Sequence, residues 1–132
     1  GKFMLAHVGD SSVYHKNGQG FNHISTSHTL GNELIEKHGP DAMNDMPDHY
    51  MHTLTRCMGQ DIDFAVDVAT FPIKTGDGVL ICSDGVTNMV EEDIIESVMK
   101  EHEPRDFVPA LIDLANQNGG VDNSTIVSFL VN

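Results

Sequence analysis

Val79-Leu80-Ile81-Cys82-Ser83-Asp84-Gly85 is the stretch that decides the fold. Four apolar residues run without a polar break, and the run is short and partly β-branched. That pattern predicts a central strand buried on both faces. It ends on an aspartate between two small residues that turn the chain. The same arrangement recurs on either side. Phe3-Met4-Leu5-Ala6-His7-Val8 reads as a buried strand that breaks at Gly9-Asp10-Ser11. Gly120-Val121-Asp122-Asn123 leads into an apolar strand over 125–131.

Each aspartate alone is explained by an Asx-type turn at a strand end. Together, in this order and with these strands, Asp10, Asp84 and Asp122 point to carboxylates collected at one rim of a β-fold. Gathered carboxylates repel one another, and a hard divalent cation removes that cost. Oxygen-only ligation suits Mg²⁺ or Mn²⁺. Two such ions can ionise a water and stabilise charge on a transferring phosphoryl group. The small neighbours Gly9, Ser11, Ser83, Gly85 and Gly120 let backbone and water approach. Asp61, Asp63, Asp67 and Asp77 read as ordinary turn residues, and Asp61-Ile62-Asp63 lacks the rest of a Ca²⁺ loop.

Working outward, Lys16-Asn17-Gly18-Gln19 lies between strand-like runs over 12–15 and 20–25. Asn-Gly there predicts a hairpin whose turn residues take positive φ. Leu30, Leu34 and Ile35 predict a helix over 29–38, stopped by Gly39-Pro40. Residues 41–52 are polar and poorly periodic, a surface excursion with one short helical turn, and 54–59 return toward the core. Residues 64–68 alternate as a strand, and 75–78 form a tight turn. Glu91-Glu92-Asp93 open one helix, where acids suit the dipole, with Ile94, Ile95, Val98 and Met99 on its apolar face. Pro104 opens another. Its stripe is Phe107, Ala110, Leu111, Leu114 and Ala115, with Pro109 early enough to be tolerated and Gly119-Gly120 as the stop. Strands and helices fall in blocks, so the class is α+β with a mainly antiparallel sheet.

The chain has 132 residues, the size of one domain spanning 1–132, and no Trp, so Val, Ile, Leu, Met and Phe must form the core. A formal net charge of -13 argues against a nucleic-acid or anionic-membrane partner, which would need clustered Lys and Arg. No stretch approaches a membrane span, and no signal pattern opens the chain, so a cytoplasmic location is expected. Cys57 and Cys82 sit in apolar surroundings and read as buried reduced thiols. The eight histidines are scattered. His49 and His52 share a face if helical, but no third ligand lies near them in sequence, so no structural zinc site is expected.

Four segments taken in order resemble the metal-dependent protein serine/threonine phosphatases of type 2C, the PPM family, in its bacterial branch. They are Ala6-His7-Val8-Gly9-Asp10-Ser11, Leu54-Thr55-Arg56-Cys57-Met58-Gly59, residues 80–90 from Leu80-Ile81-Cys82 through Thr87-Asn88-Met89-Val90, and Gly119-Gly120-Val121-Asp122-Asn123-Ser124-Thr125-Ile126-Val127. The hairpin and Ser27-His28-Thr29-Leu30 also fall where the family places them. The resemblance implies a four-layer αββα fold, two packed antiparallel sheets flanked by helices, incomplete here at its N-terminal side. It implies hydrolysis of phosphoserine and phosphothreonine in proteins at a dinuclear Mg²⁺ or Mn²⁺ centre, with two or three ions in the intact enzyme and no covalent phosphoenzyme.

By that resemblance Asp84 and Asp122 would be ligands of the dinuclear site, and Asp10 with Asp84 would serve a looser third position. Asn123 would orient Asp122, with Gly9, Ser83 and Gly85 in support. Residues 41–52 would be part of a variable flap, with Asp41, Asp45 and His49 as candidates for selecting substrate. The implied partners are a phosphorylated protein and a cognate serine/threonine kinase pathway in signalling.

The departures carry equal weight. The match is to the later part of the family domain. The earlier part should supply a metal-bridging aspartate-glycine motif, a further acidic segment, a phosphate-gripping arginine and a histidine proposed as general acid, and none of these occurs ahead of Phe3. Ser12 stands where arginine is common, and Ser27 where an acidic residue usually precedes His28. These 132 residues alone are therefore expected to turn over little or nothing, since groups that act as a unit fail together. Unpaired strand edges predict self-association through the strand at 3–8 or at 125–131. The alternative is a non-catalytic phosphatase-like domain that binds a protein partner.

Overall fold

A computed structural model describes residues 1–61 and 63–132, with Pro104 described by its backbone alone. Ile62, inside the stretch read as no Ca²⁺ loop, lies outside the described residues. The class is α+β, as expected, with six strands and four α-helices among the described residues. The chain gathers into two compact units. The first comprises Gly1–Phe3, Ser11–Ser25 and Phe71–Asn132, and the second Met4–Asp10 and Thr26–Thr70.

The first unit is built on a four-stranded antiparallel sheet in the order β3-β2-β5-β6, with β2 Ser12–Asn17, β3 Gly20–His23, β5 Gly78–Cys82 and β6 Ile126–Leu130. β5 is central, as its unbroken apolar run requires. Its neighbours hold it in register by Ser12↔Cys82 and Lys16↔Gly78 on one side and by Cys82↔Ile126 and Gly78↔Leu130 on the other. Leu80 and Cys82 turn to one face and join Tyr14 in a core closed by Val86, Val90, Ile95, Met99, Phe107, Leu111 and Ala115. Those last residues come from α2 Asp84–Thr87, α3 Glu92–Glu101 and α4 Pro104–Gln117 and their connections. α3 and α4 are the two amphipathic helices expected, except that Ile94 stays 43 % exposed while Ile95 is fully buried. A helix presents a stripe, and adjacent residues cannot both face the sheet. On the sheet's other face the Phe3 ring meets Phe129 at 5.6 Å and Phe71 at 5.0 Å, and Phe71 meets His15 at 4.9 Å.

The hairpin forms by a different route from the one expected. Gly18 and Gln19 make the turn between paired Asn17 and Gly20. Among the described residues no non-glycine has positive φ, and neither Asn17 nor Gly18 adopts it. Instead the Asn17 side chain accepts from the Gln19 and Gly20 N–H groups at 2.8 and 3.1 Å, an Asx turn.

The second unit contains most of a two-stranded sheet of β1 Lys2–His7 and β4 Asp67–Pro72, together with α1 Leu30–His38. β1 alternates in burial, and Met4 is 72 % exposed, so the strand read as buried is buried on one side only. α1 begins as read, capped by Thr29 Oγ1, which accepts from Asn32 N–H. Residues 41–52 form two 3₁₀ turns, Pro40–Asn44 and Asp48–His52, where one was expected. The second packs directly on α1: a Cβ on Gly31 would meet Met51 Sδ at 2.4 Å. The strand read over 64–68 starts later, at Asp67. The Arg56 guanidinium takes the Ala65 carbonyl, so that backbone is satisfied by a side chain rather than a strand neighbour.

Candidate functional site

The loops that carry two of the three motif aspartates meet in the first unit, at one end of the β5–β6 pair. β5 ends at Cys82, and the chain turns at once into the single helical turn of α2, which Asp84 opens. That helix was not read from the sequence, which suggested only a strand end. Across from it, 119–125 return from α4 to β6. Gly119 and Gly120, at φ +135° and +54°, make the reversal in a region that favours glycine.

Four hydrogen bonds stitch the two loops. The Ser83 N–H donates to Thr125 O at 3.0 Å. The Thr125 N–H donates to Ser83 Oγ at 3.0 Å, and Ser83 Oγ donates to Asn123 O at 3.3 Å. Ser124 Oγ donates to Gly85 O at 3.0 Å. Gly85 is where they touch: a Cβ there would lie 2.2 Å from Asn123 O and 2.9 Å from Asn123 C. Asp122 Oδ1 accepts from the Asn123 N–H at 2.7 Å, a local turn that fixes the carboxylate. Asp84 is half-buried and Asp122 exposed. Ser83, Gly85 and Asn123 all lie in this junction, Asn123 through its backbone groups.

The remaining predicted residues lie in the second unit. Gly9, at φ +111°, ends β1, and Asp10 follows it, half-buried. The clasp on Gly9 is His28, which is 2 % exposed. The His28 N–H donates to Gly9 O at 2.9 Å, and the Gly9 N–H donates to His28 Nδ1 at 3.1 Å. His28 Nε2 lies 2.9 Å from Asp67 Oδ2, and Arg56 Nη1 donates to Asp67 Oδ1 at 2.9 Å. The hydrogen bond from His28, helped by that from Arg56, holds the Asp67 carboxyl below its usual range against the opposing cost of burial. Sequence reasoning missed this group. Asp67 was read as a turn residue, and 39 residues separate it from His28, so no spacing rule joins them. Asp41 and His49 are exposed on the two 3₁₀ turns, and Asp45 is exposed just after the first.

The oxygens carried by the two loops, the Asp84 and Asp122 carboxylates and the hydroxyls and carbonyls of Ser83, Gly85, Asn123 and Ser124, are of the kind that suits a hard cation. The cradle is close enough that Gly85 admits no side chain. It is not a complete ligand set: among the described residues, no three His, Cys, Asp or Glu side chains gather where one ion could be held. A cavity of about 270 Å³ bordered by Lys16, Met99, His102, Phe107 and Leu130 lies at the opposite end of the strand pair, where Gly78 meets Leu130, and it holds no catalytic constellation. No helix among the described residues is long and apolar enough to cross a membrane.

No protein-family model matches the chain. Among curated proteins it is 31 % identical over 131 residues to protein phosphatase PhpP of Streptococcus pneumoniae serotype 2, covering 98 % of this chain and 53 % of that one. It is 32 % identical over 126 residues to serine/threonine phosphatase stp of Listeria monocytogenes serotype 4b, covering 94 % and 50 %. Among solved structures it matches the Streptococcus agalactiae serine/threonine phosphatase with a TM-score of 0.84 at 28 % identity, covering 98 % of this chain and 55 % of that one. The chain therefore spans about half the length of the curated relatives it matches.

Proposed function

The chain belongs to the type 2C (PPM) family of protein phosphatases, and we propose that it forms the C-terminal part of a metal-dependent phosphatase domain acting on phosphoserine and phosphothreonine in proteins. The observation that carries this reading is the stitched junction that brings the Asp84 and Asp122 loops together at one end of β5 and β6. Asp84 and Asp122 are the carboxylates that would hold Mg²⁺ or Mn²⁺, and Asp10 is a further contributor at a looser position. Such ions, when bound, polarise the phosphoryl oxygens and lower the pKa of water.

The residues of this chain supply position. Ser83 fixes the approach of the two loops, Gly85 lets them close, and the Asn123 N–H orients the Asp122 carboxylate. A solved serine/threonine phosphatase, PstP, with a TM-score of 0.81 to this chain at 24 % identity over 99 % of it and 54 % of that chain, is in complex with two manganese ions, which is in keeping with this assignment. The remaining ligands and the phosphate-gripping arginine belong, on this reading, to the other half of the relatives' length. These 132 residues alone therefore hydrolyse little or nothing. The exposed 3₁₀ turns with Asp41, Asp45 and His49 are proposed to face the phosphoprotein, whose kinase the enzyme opposes in the cytoplasm. On its own the chain self-associates, because Val127 and Leu130 on the edge strand β6 are 54 % and 40 % exposed.

The test is hydrolysis of a phosphothreonine peptide with Mn²⁺ by the full natural chain carrying these residues. Asp84→Asn and Asp122→Asn should each cost more than about a hundredfold, beyond what an outer-sphere partner costs. A rate that survives Asp84→Asn overturns the assignment. Peptide binding with no turnover in the full chain would favour the partner-binding domain.

A further inference from the structure

We propose that His28 is a positioning residue for Asp10, holding the Gly9-Asp10 turn through a side-chain relay that runs Arg56–Asp67–His28–Gly9. The inference rests on the reading of Asp10 as a contributor to cation binding.

The relay follows from satisfying a buried imidazole. Each ring nitrogen of a histidine this covered needs a partner. Nδ1 faces the Gly9 N–H at 3.1 Å, and an N–H can only donate, so Nδ1 is the acceptor. The proton of the neutral ring then sits on Nε2, which points it at Asp67 Oδ2, 2.9 Å away. Arg56 Nη1 is also 3.4 Å from Nε2, but two donors face each other there, and Arg56 is instead spent on Asp67 Oδ1 and the Ala65 carbonyl. The tautomer of His28 is thus set by Gly9 at one end and braced by a carboxylate and a guanidinium at the other.

His28 itself is held on its backbone. Its N–H reaches Gly9 O, and its carbonyl accepts from the Thr55 N–H at 2.9 Å. Thr29, next in sequence, caps α1, and Asn32 Nδ2 donates to Ser27 O at 3.0 Å. Both polar groups of Gly9 are therefore fixed by one residue. A Cβ on Gly9 would meet nothing within 4 Å, so its φ of +111°, not lack of room, is what calls for glycine. A turn with that backbone, pinned on N–H and C=O, has little freedom to re-aim the residue that follows, which is Asp10. A hydrogen-bonded partner behind a ligand fixes that ligand's direction, and here the constraint passes through the main chain.

The test uses the full natural chain in four variants, Asp10→Asn, His28→Ala, His28→Asn and Asp67→Asn, with two readouts. The first is the amide exchange rate of Gly9 by NMR, together with the His28 tautomer from its ¹⁵N pattern. The second is affinity for the loosest class of bound Mn²⁺, by electron paramagnetic resonance. His28→Ala should speed Gly9 exchange at least about tenfold while strand amides of β5 stay protected, and should weaken Mn²⁺ about tenfold. His28→Asn keeps an acceptor near the place of Nδ1 and should recover most of both, and Asp67→Asn should fall between. If His28→Ala leaves Gly9 protected, or His28 carries its proton on Nδ1, the relay is wrong. If Asp10→Asn weakens Mn²⁺ but His28→Ala does not, positioning is wrong and the cation reading stands. If Asp10→Asn itself leaves Mn²⁺ unchanged, the cation reading of Asp10 fails and the proposal falls with it.

Discussion

The junction at Ser83–Gly85 and the clasp on Gly9 do the same job with different materials. Each fixes a short loop that carries an aspartate. The first is made of backbone groups and two serines from segments that continue into paired strands, and it closes because Gly85 has no side chain. The second is made of long polar side chains, His28, Asp67 and Arg56, drawn from separate parts of the second unit. A junction of main chain and small residues fails sterically when something is added to it. A junction of charged side chains fails chemically when a partner is lost or protonated.

The largest effect is expected beneath the first junction. Leu111 of α4 is fully buried in the core that supports β5 and α2, so Leu111→Ala should cost about 2–5 kcal/mol in urea unfolding. A loss under about 1 kcal/mol would mean that the helices are not what holds the β5 end in place.

Next, Gly85→Ala should cost about 1–3 kcal/mol, because the new methyl meets backbone carbonyl atoms rather than a side chain that can swing away. If unfolding of the variant matches wild type, the close approach of the two loops is not a constraint.

Acid should find the side-chain junctions first. Asp67 is held below its usual 3.8 by His28 and Arg56. Asp77 is lowered likewise, chiefly by the Lys74 N–H at 3.0 Å, with desolvation opposing and His15 at 3.1 Å assisting. A carboxylate whose folded value is depressed stabilises the fold above its unfolded value and loses that contribution as pH falls through the folded one. Stability should therefore be flat in these groups above pH 5 or so and drop below about 4, with a shallower slope in Asp67→Asn and Asp77→Asn. An unchanged slope in both variants would separate acid sensitivity from these pairs.

The smallest effect is one of reactivity. Burial pushes the Cys82 thiol up to about 12, whereas Cys57 is partly exposed. An alkylating probe should label Cys57 in the native chain and reach Cys82 only on unfolding. Labelling of Cys82 first, read by peptide mass, would show that the sheet opens more readily than its packing suggests.

The two junctions were unequally legible before the structure. Asp84 and Asp122 stand out because their neighbours are Gly and Ser beside unbroken apolar runs, and those small neighbours are the ones through which the two loops meet. β5 could be read as central for the same reason: Leu80 and Cys82 on one face and Val79 on the other leave no solvent side. The clasp on Gly9 was illegible. Its histidine, arginine and aspartate obey no common period, and although the resemblance picks out the segments of His28 and Arg56, nothing in the sequence joins either to Asp67. The misplaced strand at 64–68 failed for the same cause, since the Arg56 side chain takes over a carbonyl that alternation assigns to a strand partner. The hairpin was right in place and wrong in mechanism, because Asn17 can satisfy a turn through either its backbone or its side chain.

The antiparallel pairing of β5 with β2 sets an order of assembly. β2 finds β3 across two residues, a closure available as soon as that segment exists. Ser12 finds Cys82, and Lys16 finds Gly78, only after 26–70 have been looped out between them. Contacts of that span are the ones that slow folding, because the entropy of closing the loop is lost before any pairing repays it. Shortening the excursion between α1 and β4 should therefore speed the formation of the central strand pair in stopped-flow refolding, whereas strengthening the β2–β3 turn should leave that step almost unchanged.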